Sequence, residues 1–214
     1  KEEESSFICK REVFEQEQGI ASDLHRIMDP SEEHPLAEIL KKEGEERALE
    51  GIIDGLSKGQ EQVLKLALKE KVLVVTGGPG VGKTATVTRI MKLFEKYNLS
   101  ILVCAPTGRA AIRLQELSGI PASTVHRLLE CAPGFNFGRN EENPLDCKLL
   151  IVDEFSMMDL TLSHALFKAL PSNILLVIVG DADQLPSVGP GNVLKVNQLK
   201  TNLSFIDLQP YRTS

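Results

Sequence analysis

The fold is decided by one stretch, Val72-Leu73-Val74-Val75-Thr76-Gly77-Gly78-Pro79-Gly80-Val81-Gly82-Lys83-Thr84. An apolar, β-branched run leads into a glycine-rich turn that fits the pattern G-x-x-x-x-G-K-[ST], and an amphipathic helical pattern follows. Glycines allow backbone N–H groups to turn inward around phosphate oxygens, and the start of the next helix adds the positive end of its dipole. A plain glycine turn would leave the adjacent Lys-Thr pair unexplained. The stretch therefore predicts a strand, a phosphate-binding loop and a helix.

This loop predicts an ATP site with bound Mg²⁺. The Lys83 ammonium is expected at the β and γ phosphates, and the Thr84 hydroxyl is expected to ligate Mg²⁺. The residues predicted to hold ATP here are Gly78, Pro79, Gly80, Val81, Gly82, Lys83 and Thr84.

Three further short apolar runs follow, at residues 101–105, 149–152 and 174–179. They alternate with helical patterns, which is typical of an α/β fold whose parallel strands are covered on both faces. Ligands of such open sheets bind at the carboxyl ends of the strands. The polar residues that follow each run are therefore the candidates for chemistry.

Asp153 and Glu154 come directly after the third run. Four apolar residues followed by two carboxylates form a Walker B pattern, in which Asp153 holds Mg²⁺ and Glu154 is the general base that activates water. Taken alone, such a pair is more often a solvated turn or a helix cap. Downstream of a phosphate-binding loop, the catalytic interpretation is favoured. After the fourth run, Gln184 is a candidate to bond the γ-phosphate or the attacking water, although its segment also reads as an ordinary turn.

The charge is unevenly distributed along the 214 residues. The whole chain has 24 basic and 30 acidic side chains, a net charge of −6, which at first argues against a nucleic-acid partner. However, residues 1–70 contain 10 basic and 18 acidic side chains (net −8), whereas residues 71–214 contain 14 and 12 (net +2). The acidity therefore belongs to the N-terminal third and does not exclude nucleic acid from the remainder.

That N-terminal third reads as helical. Apolar residues recur near the helical period in a first helix, at Phe14, Ile20, Leu24, Ile27 and Met28, and a second amphipathic stretch begins at Leu36. A third helix has the signature of a capping box, with Ser57 as N-cap and Gln60 three residues later. We expect an acidic helical region over residues 1–55 and an ATPase lobe over residues 56–214.

Neither a membrane span nor a secretory signal is predicted. The apolar runs are far shorter than the roughly 20 residues that cross a bilayer, and the N-terminus is acidic. The four cysteines, Cys9, Cys104, Cys131 and Cys147, are widely spaced and form no CxxC pair. They indicate reduced thiols in a cytoplasmic protein, with neither a zinc site nor a disulfide framework.

Taken together, the motifs resemble those of superfamily 1 DNA helicases of the RecD/TraA-like group. The resemblance covers about residues 56–194, with motifs I, Ia, Ib, II and III in register at residues 77–84, 105–111, 123–129, 153–157 and 180–191. Ser57 with Gln60 is similar to the Q motif, whose glutamine reads adenine in that family. The resemblance implies a RecA-like ATPase lobe with a parallel sheet, which moves 5′ to 3′ along single-stranded DNA in recombination and repair or in plasmid transfer.

The resemblance also implies roles for residues outside the phosphate-binding loop. It assigns DNA contact to motifs Ia and Ib, where backbone-phosphate binding suits Thr107, Gly108, Arg109, Thr124 and His126. Arg212 is similar to a motif IV arginine that contacts the γ-phosphate. Motifs V and VI are not found, so we expect a second RecA-like lobe of the same parent chain, little activity from residues 1–214 alone, and repair or recombination proteins as partners.

A different class of function also fits part of the sequence. A P-loop ATPase subunit or scaffold of a DNA-processing complex would use nucleotide to control partner binding through the acidic helices. The complete set of Lys83, Thr84, Asp153, Glu154 and Gln184 weighs against this reading, since a scaffold needs no intact catalytic site.

Overall fold

A computed structural model describes residues 10–134, 136–180 and 204–209 of the chain. Six parallel strands form one sheet in the order β3-β2-β6-β7-β1-β8, and two short antiparallel strands, β4 and β5, form a hairpin. The strands are β1 (Val72–Thr76), β2 (Ile101–Ala105), β3 (Ser123–Thr124), β4 (Cys131–Ala132), β5 (Asn136–Phe137), β6 (Leu149–Val152), β7 (Leu175–Val179) and β8 (Ser204–Asp207).

Seven α-helices and one short 3-10 helix (Phe155–Met157) lie among the described residues. The α-helices are α1 (Arg11–Met28), α2 (Ala37–Leu49), α3 (Lys58–Ala67), α4 (Lys83–Lys96), α5 (Gly108–Ser118), α6 (Val125–Leu128) and α7 (Leu160–Lys168). Within this part of the chain, no helix combines the length and hydropathy needed to cross a membrane.

The sheet confirms the predicted α/β class and its four principal strands. Strands β1, β2, β6 and β7 correspond to the four apolar runs, and all neighbouring pairs in the sheet are parallel. The carboxyl ends of these strands therefore share one edge, called the carboxyl edge below, and their amino ends share the opposite amino edge. At the carboxyl edge, β6 lies beside β7, and β7 lies beside β1.

Helices cover both faces of the sheet. Alternate residues of each strand point to opposite faces, so each strand contributes to two cores. Val74 and Leu150 belong to one buried core, which includes side chains of α1, α6 and α7. Leu73 and Ile151 belong to the other, which includes side chains of α3, α4 and α5. Every strand residue from Leu149 to Val152 is fully buried, so the apolar run that predicted this strand reflects cover on both faces.

The N-terminal helices contribute to both cores. Helix α1 packs along α7 through Ile20, Leu24 and Ile27, as their helical spacing predicts. Phe14 shares the helical spacing but is 53% exposed. Helix α2 adds Leu49 to the opposite core.

The segment between α1 and α2 passes the amino edge of the sheet and is bound there. Lys71 is the residue before β1, and its ammonium donates to the Asp29 carbonyl at 2.7 Å. His34 Nδ1 accepts from the Leu36 N–H at 3.1 Å, so its Nε2 carries the proton and donates to the Glu70 carbonyl at 3.2 Å. Burial lowers the pKa of His34 to about 4, which keeps this imidazole neutral.

Strand β8 and the separate β4–β5 hairpin have no counterpart in the sequence prediction, and the short strand β3 lies in the segment predicted as motif Ib. Strand β8 pairs with β1 in parallel, and the N–H of Leu208, the residue after β8, donates to the Thr76 carbonyl at 2.9 Å. The β4–β5 hairpin follows α6 and is held by an ion pair of 2.7 Å between Arg139 and Glu130.

Candidate active site

The glycine-rich loop adopts backbone conformations that require glycine at two positions. Gly77 has a φ of +142°, and a Cβ there would lie 2.6 Å from the Leu208 carbonyl oxygen. Gly82 has a φ of +88°, and a Cβ there would lie 2.5 Å from Gln60 Nε2. These positions confirm that the loop is shaped by its backbone and that β8 and α3 pack directly against it.

Lys83 and Thr84 form the first turn of α4. The Lys83 ammonium turns back over the loop and donates to the carbonyl oxygens of Gly77 and Gly78, the latter at 3.0 Å. Both side chains are half-buried, whereas Pro79 and Gly80 at the tip of the loop are exposed. A cation held inside a ring of backbone groups at a helix N-terminus suits a polyphosphate.

The predicted capping box at the start of α3 is confirmed, and its glutamine reaches the loop. Ser57 Oγ accepts from the Gln60 N–H at 3.3 Å, and Gln60 Oε1 accepts from the Ser57 N–H at 2.9 Å. The other end of the same amide, Nε2, donates to the Gly82 carbonyl at 3.4 Å. The residue predicted to read adenine is thus tied to both its own helix cap and the loop.

Asp153 and Glu154 leave the end of β6 at the carboxyl edge. Burial raises the pKa of Asp153, while the Glu154 N–H and the positive charges of Lys83 and Arg113 oppose that rise. Glu154 has a φ of +51° and a ψ of 36°, a left-handed conformation that is unfavourable for a residue with a side chain. Strain of this kind concentrates at functional sites.

The donor set fits Mg²⁺. Thr84 and Asp153 offer a hydroxyl and a carboxylate, which are hard oxygen ligands of the type that this ion takes together with phosphate oxygens and water. Arg113, on α5, was not predicted as a site residue, although its charge acts on the Asp153 carboxylate. It lies two residues after motif Ia but 40 residues before Asp153 in sequence, and the adjacency of β2 and β6 brings α5 close to that carboxylate.

The residues predicted to contact DNA lie at the other end of the carboxyl edge, after β2 and β3. Thr107 and Thr124 are N-caps, since their hydroxyls accept from the Ala110 and Arg127 N–H groups, each at 3.2 Å. Gly108, Arg109 and His126 are exposed. Ala105 is paired with Thr124 across the two strands, so both segments share one surface.

Two predicted site residues, Gln184 and Arg212, lie outside the described residues. The strands that lead to them are described. Strand β7 ends between β6 and β1, and β8 ends beside β1 at the loop.

Comparisons with known proteins agree with this arrangement. Residues 60–190 match the family model of the AAA domain AAA_19. The chain is 47% identical over 138 residues to the ATP-dependent RecD2 DNA helicase of Deinococcus radiodurans, covering 64% of this chain and 19% of that protein. It is 40% identical over 158 residues to the RecBCD enzyme subunit RecD of Mycobacterium tuberculosis, covering 63% of this chain and 28% of that protein.

The chain thus spans less than a third of the length of these two curated relatives. The structure is also similar to a crystal structure of the Pif1 helicase from Candida albicans, with a TM-score of 0.54 and 27% identity over 73% of this chain and 40% of that one. Residues 60–190, which match the family model, include the phosphate-binding loop, Asp153 and Glu154, and the two capped segments after β2 and β3. The chain therefore belongs to the AAA domain family, as a RecD-like member of the superfamily 1 helicases with a RecA-like α/β lobe.

Proposed function

We propose that the chain is the ATP-hydrolysing lobe of a DNA helicase that moves 5′ to 3′ along single-stranded DNA in recombination and repair. The observation that carries this proposal is the order of strands at the carboxyl edge. The candidate DNA-binding segments follow β3 and β2, the candidate catalytic carboxylates follow β6, and the phosphate-binding loop follows β1. We place the start of this lobe near residue 56, where α3 brings Gln60 to the loop.

At the nucleotide end, Lys83 holds the β and γ phosphates, and Thr84 and Asp153 hold Mg²⁺. When bound, the ion neutralises charge on the phosphate oxygens. Glu154 takes the proton from the attacking water, as a general base at the end of β6. Gln184 and Arg212 complete the site beside the γ-phosphate. The similarity to a protein named as an ATP-dependent DNA helicase supports an ATP site in this chain.

At the DNA end, Arg109 and His126 contact backbone phosphates, and Thr107, Gly108 and Thr124 position the strand. Such contacts carry affinity without reading sequence. Strand β7 ends between β6 and β1, within the nucleotide end. Gln184, in the segment that follows β7, is the residue that we propose couples the state of the nucleotide to the DNA. A second RecA-like lobe of the parent chain supplies the alternate grip that translocation requires.

ATP hydrolysis with and without single-stranded DNA tests this function best. In the parent protein, oligothymidylate should stimulate ATP hydrolysis, and Lys83→Ala should abolish it, because charge-assisted bonds to phosphate are lost. Lys92→Ala is the matched control, since Lys92 lies exposed on the same helix. Hydrolysis that ignores DNA would favour a nucleotide-regulated scaffold instead, and full hydrolysis by Lys83→Ala would refute the site.

DNA binding by the exposed arginine can be tested separately. Arg109→Ala should weaken the binding of single-stranded oligonucleotides to a similar degree whatever their base composition. It should also reduce the salt dependence of binding by about one phosphate contact. The same titration with an RNA of equal length distinguishes the two nucleic acids. An unchanged salt slope would remove Arg109 from the DNA-binding surface.

A further inference from the structure

The Gly82 carbonyl is the point where three groups meet behind the phosphate-binding loop. It accepts from Gln60 Nε2 at 3.4 Å and from the N–H and the hydroxyl of Thr86, each at 3.0 Å. The two bonds from Thr86 come from the helix that follows. The bond from Gln60 is the one that comes from another element, α3.

Holding this carbonyl fixes the direction of the next N–H group. The carbonyl oxygen and the N–H of a trans peptide point to opposite sides of one plane. A donor that holds the Gly82 oxygen from outside therefore aims the Lys83 N–H away from α3, toward the interior of the loop. The first N–H groups of a helix have no partner within the helix and are the groups that bind phosphate.

The amide of Gln60 lies directly against Gly82. A Cβ there would stand 2.5 Å from Gln60 Nε2, so the amide rests directly on the glycine. A capping box needs only the Oε1 atom of Gln60, which accepts from the Ser57 N–H. The contact of Nε2 with the loop is additional to the cap.

We propose that Gln60 is a positioning residue for the phosphate cradle, which orients the Gly82–Lys83 peptide and so strengthens the binding of the polyphosphate itself. This inference rests on the proposed function as an ATPase. The resemblance gives the same amide a contact with adenine. One side chain then links the base to the phosphates, and its loss weakens even a ligand that has no base.

The test compares inorganic tripolyphosphate with Mg-ATP as ligands of the 214-residue chain, by titration calorimetry. Gln60→Met removes both amide contacts and should weaken tripolyphosphate binding about five-fold, the equivalent of one ordinary hydrogen bond. Ser57→Ala is the matched control. It removes the other half of the capping box but leaves the bond from Gln60 to Gly82, so it should lower the melting temperature without changing tripolyphosphate affinity.

A second variant covers the case in which Gln60→Met fails to fold. Gln60→Glu keeps the acceptor for the Ser57 N–H, as glutamate does in capping boxes, but has no donor for Gly82. Its negative charge adds a repulsion that salt screens only in part at this half-buried position, so it should weaken tripolyphosphate binding at least as much as Gln60→Met does. If either folded variant loses affinity for Mg-ATP but binds tripolyphosphate as tightly as the unmodified chain, Gln60 acts on the base only and the inference is overturned. If the unmodified chain binds neither ligand, the proposed function fails first.

Discussion

The two edges of the parallel sheet differ in how their polar groups are used. At the amino edge, Lys71 and His34 bind backbone carbonyls of Asp29 and Glu70, and each bond joins one segment of the fold to another. At the carboxyl edge, Glu154 adopts a left-handed backbone conformation that costs free energy, and Gly77 has a positive φ that favours glycine. Polar groups therefore stabilise the fold at the amino edge. At the carboxyl edge, the rest of the fold holds Glu154 in an unfavourable backbone conformation.

This difference predicts how substitutions divide. Changes at the amino edge should alter the free energy of unfolding and leave ligand binding unchanged in the folded protein. Changes at the carboxyl edge should alter binding, with effects on stability of either sign. The predictions below test this division, beginning with the largest expected effect.

Gly77→Ala should lower the free energy of unfolding by about 3 kcal/mol. Its Cβ would approach the Leu208 carbonyl oxygen and Val81 Cγ2 within 3 Å, and a φ of +142° is unfavourable for alanine. Because the Leu208 oxygen belongs to the backbone, the end of β8 must move. Urea denaturation followed by circular dichroism measures this loss.

Gly78→Ala is the matched control in the same loop. A Cβ at Gly78 meets nothing within 4 Å, so the free energy of unfolding should change by less than about 0.5 kcal/mol. Equal losses in the two variants would show that β8 does not constrain the loop.

Lowering the pH should weaken the amino edge through His34. Its pKa falls from 6.5 to about 4 on folding because burial disfavours the charged form. The unfolded chain therefore binds more protons, so this contribution is complete above pH 6.5 and is lost as the pH falls toward 4. Over that window the free energy of unfolding should decrease by about 2 to 3 kcal/mol.

Two histidine variants isolate this effect. His34→Gln should flatten the dependence of unfolding free energy on pH between 6.5 and 4, while His25→Gln, at an exposed position of α1, should leave it unchanged. Burial also lowers the pKa of His164, so the difference between the His34→Gln profile and the unmodified profile is the relevant quantity. Identical profiles would mean that folding does not lower the pKa of His34.

The local features of the carboxyl edge could be predicted from the sequence, whereas the distant segments that pack against them could not. The loop over residues 77–84 and the capping box of Ser57 with Gln60 depend on contacts within a few residues, and both were found. Strand β8 was missed because its pairing with β1 joins positions about 130 residues apart. The influence of Arg113 on Asp153 was missed for the same reason, as it depends on which strands are adjacent.

The exposure of Phe14 and the binding of His34 show the same limit in the N-terminal region. Helical spacing predicted α1, but which of its apolar residues are buried depends on the angle at which α7 meets it. His34 has no motif at all. Its neutral state follows from burial, and it is buried because the segment between α1 and α2 packs at the start of β1, where His34 bonds to Glu70.

The smallest expected effect has the opposite sign. Glu154→Gly should raise the free energy of unfolding by about 0.5 kcal/mol, because relief of the left-handed conformation, worth about 1 kcal/mol, exceeds the added entropy of glycine in the unfolded chain. The same change should abolish DNA-stimulated ATP hydrolysis in the parent protein if Glu154 is the general base. Glu130→Gly is a close control, since Glu130 has a φ of +54° in the hairpin, and it should leave hydrolysis intact. A destabilised Glu154→Gly variant would mean that the glutamate side chain stabilises the carboxyl edge, and the contrast between the two edges would then disappear at this position.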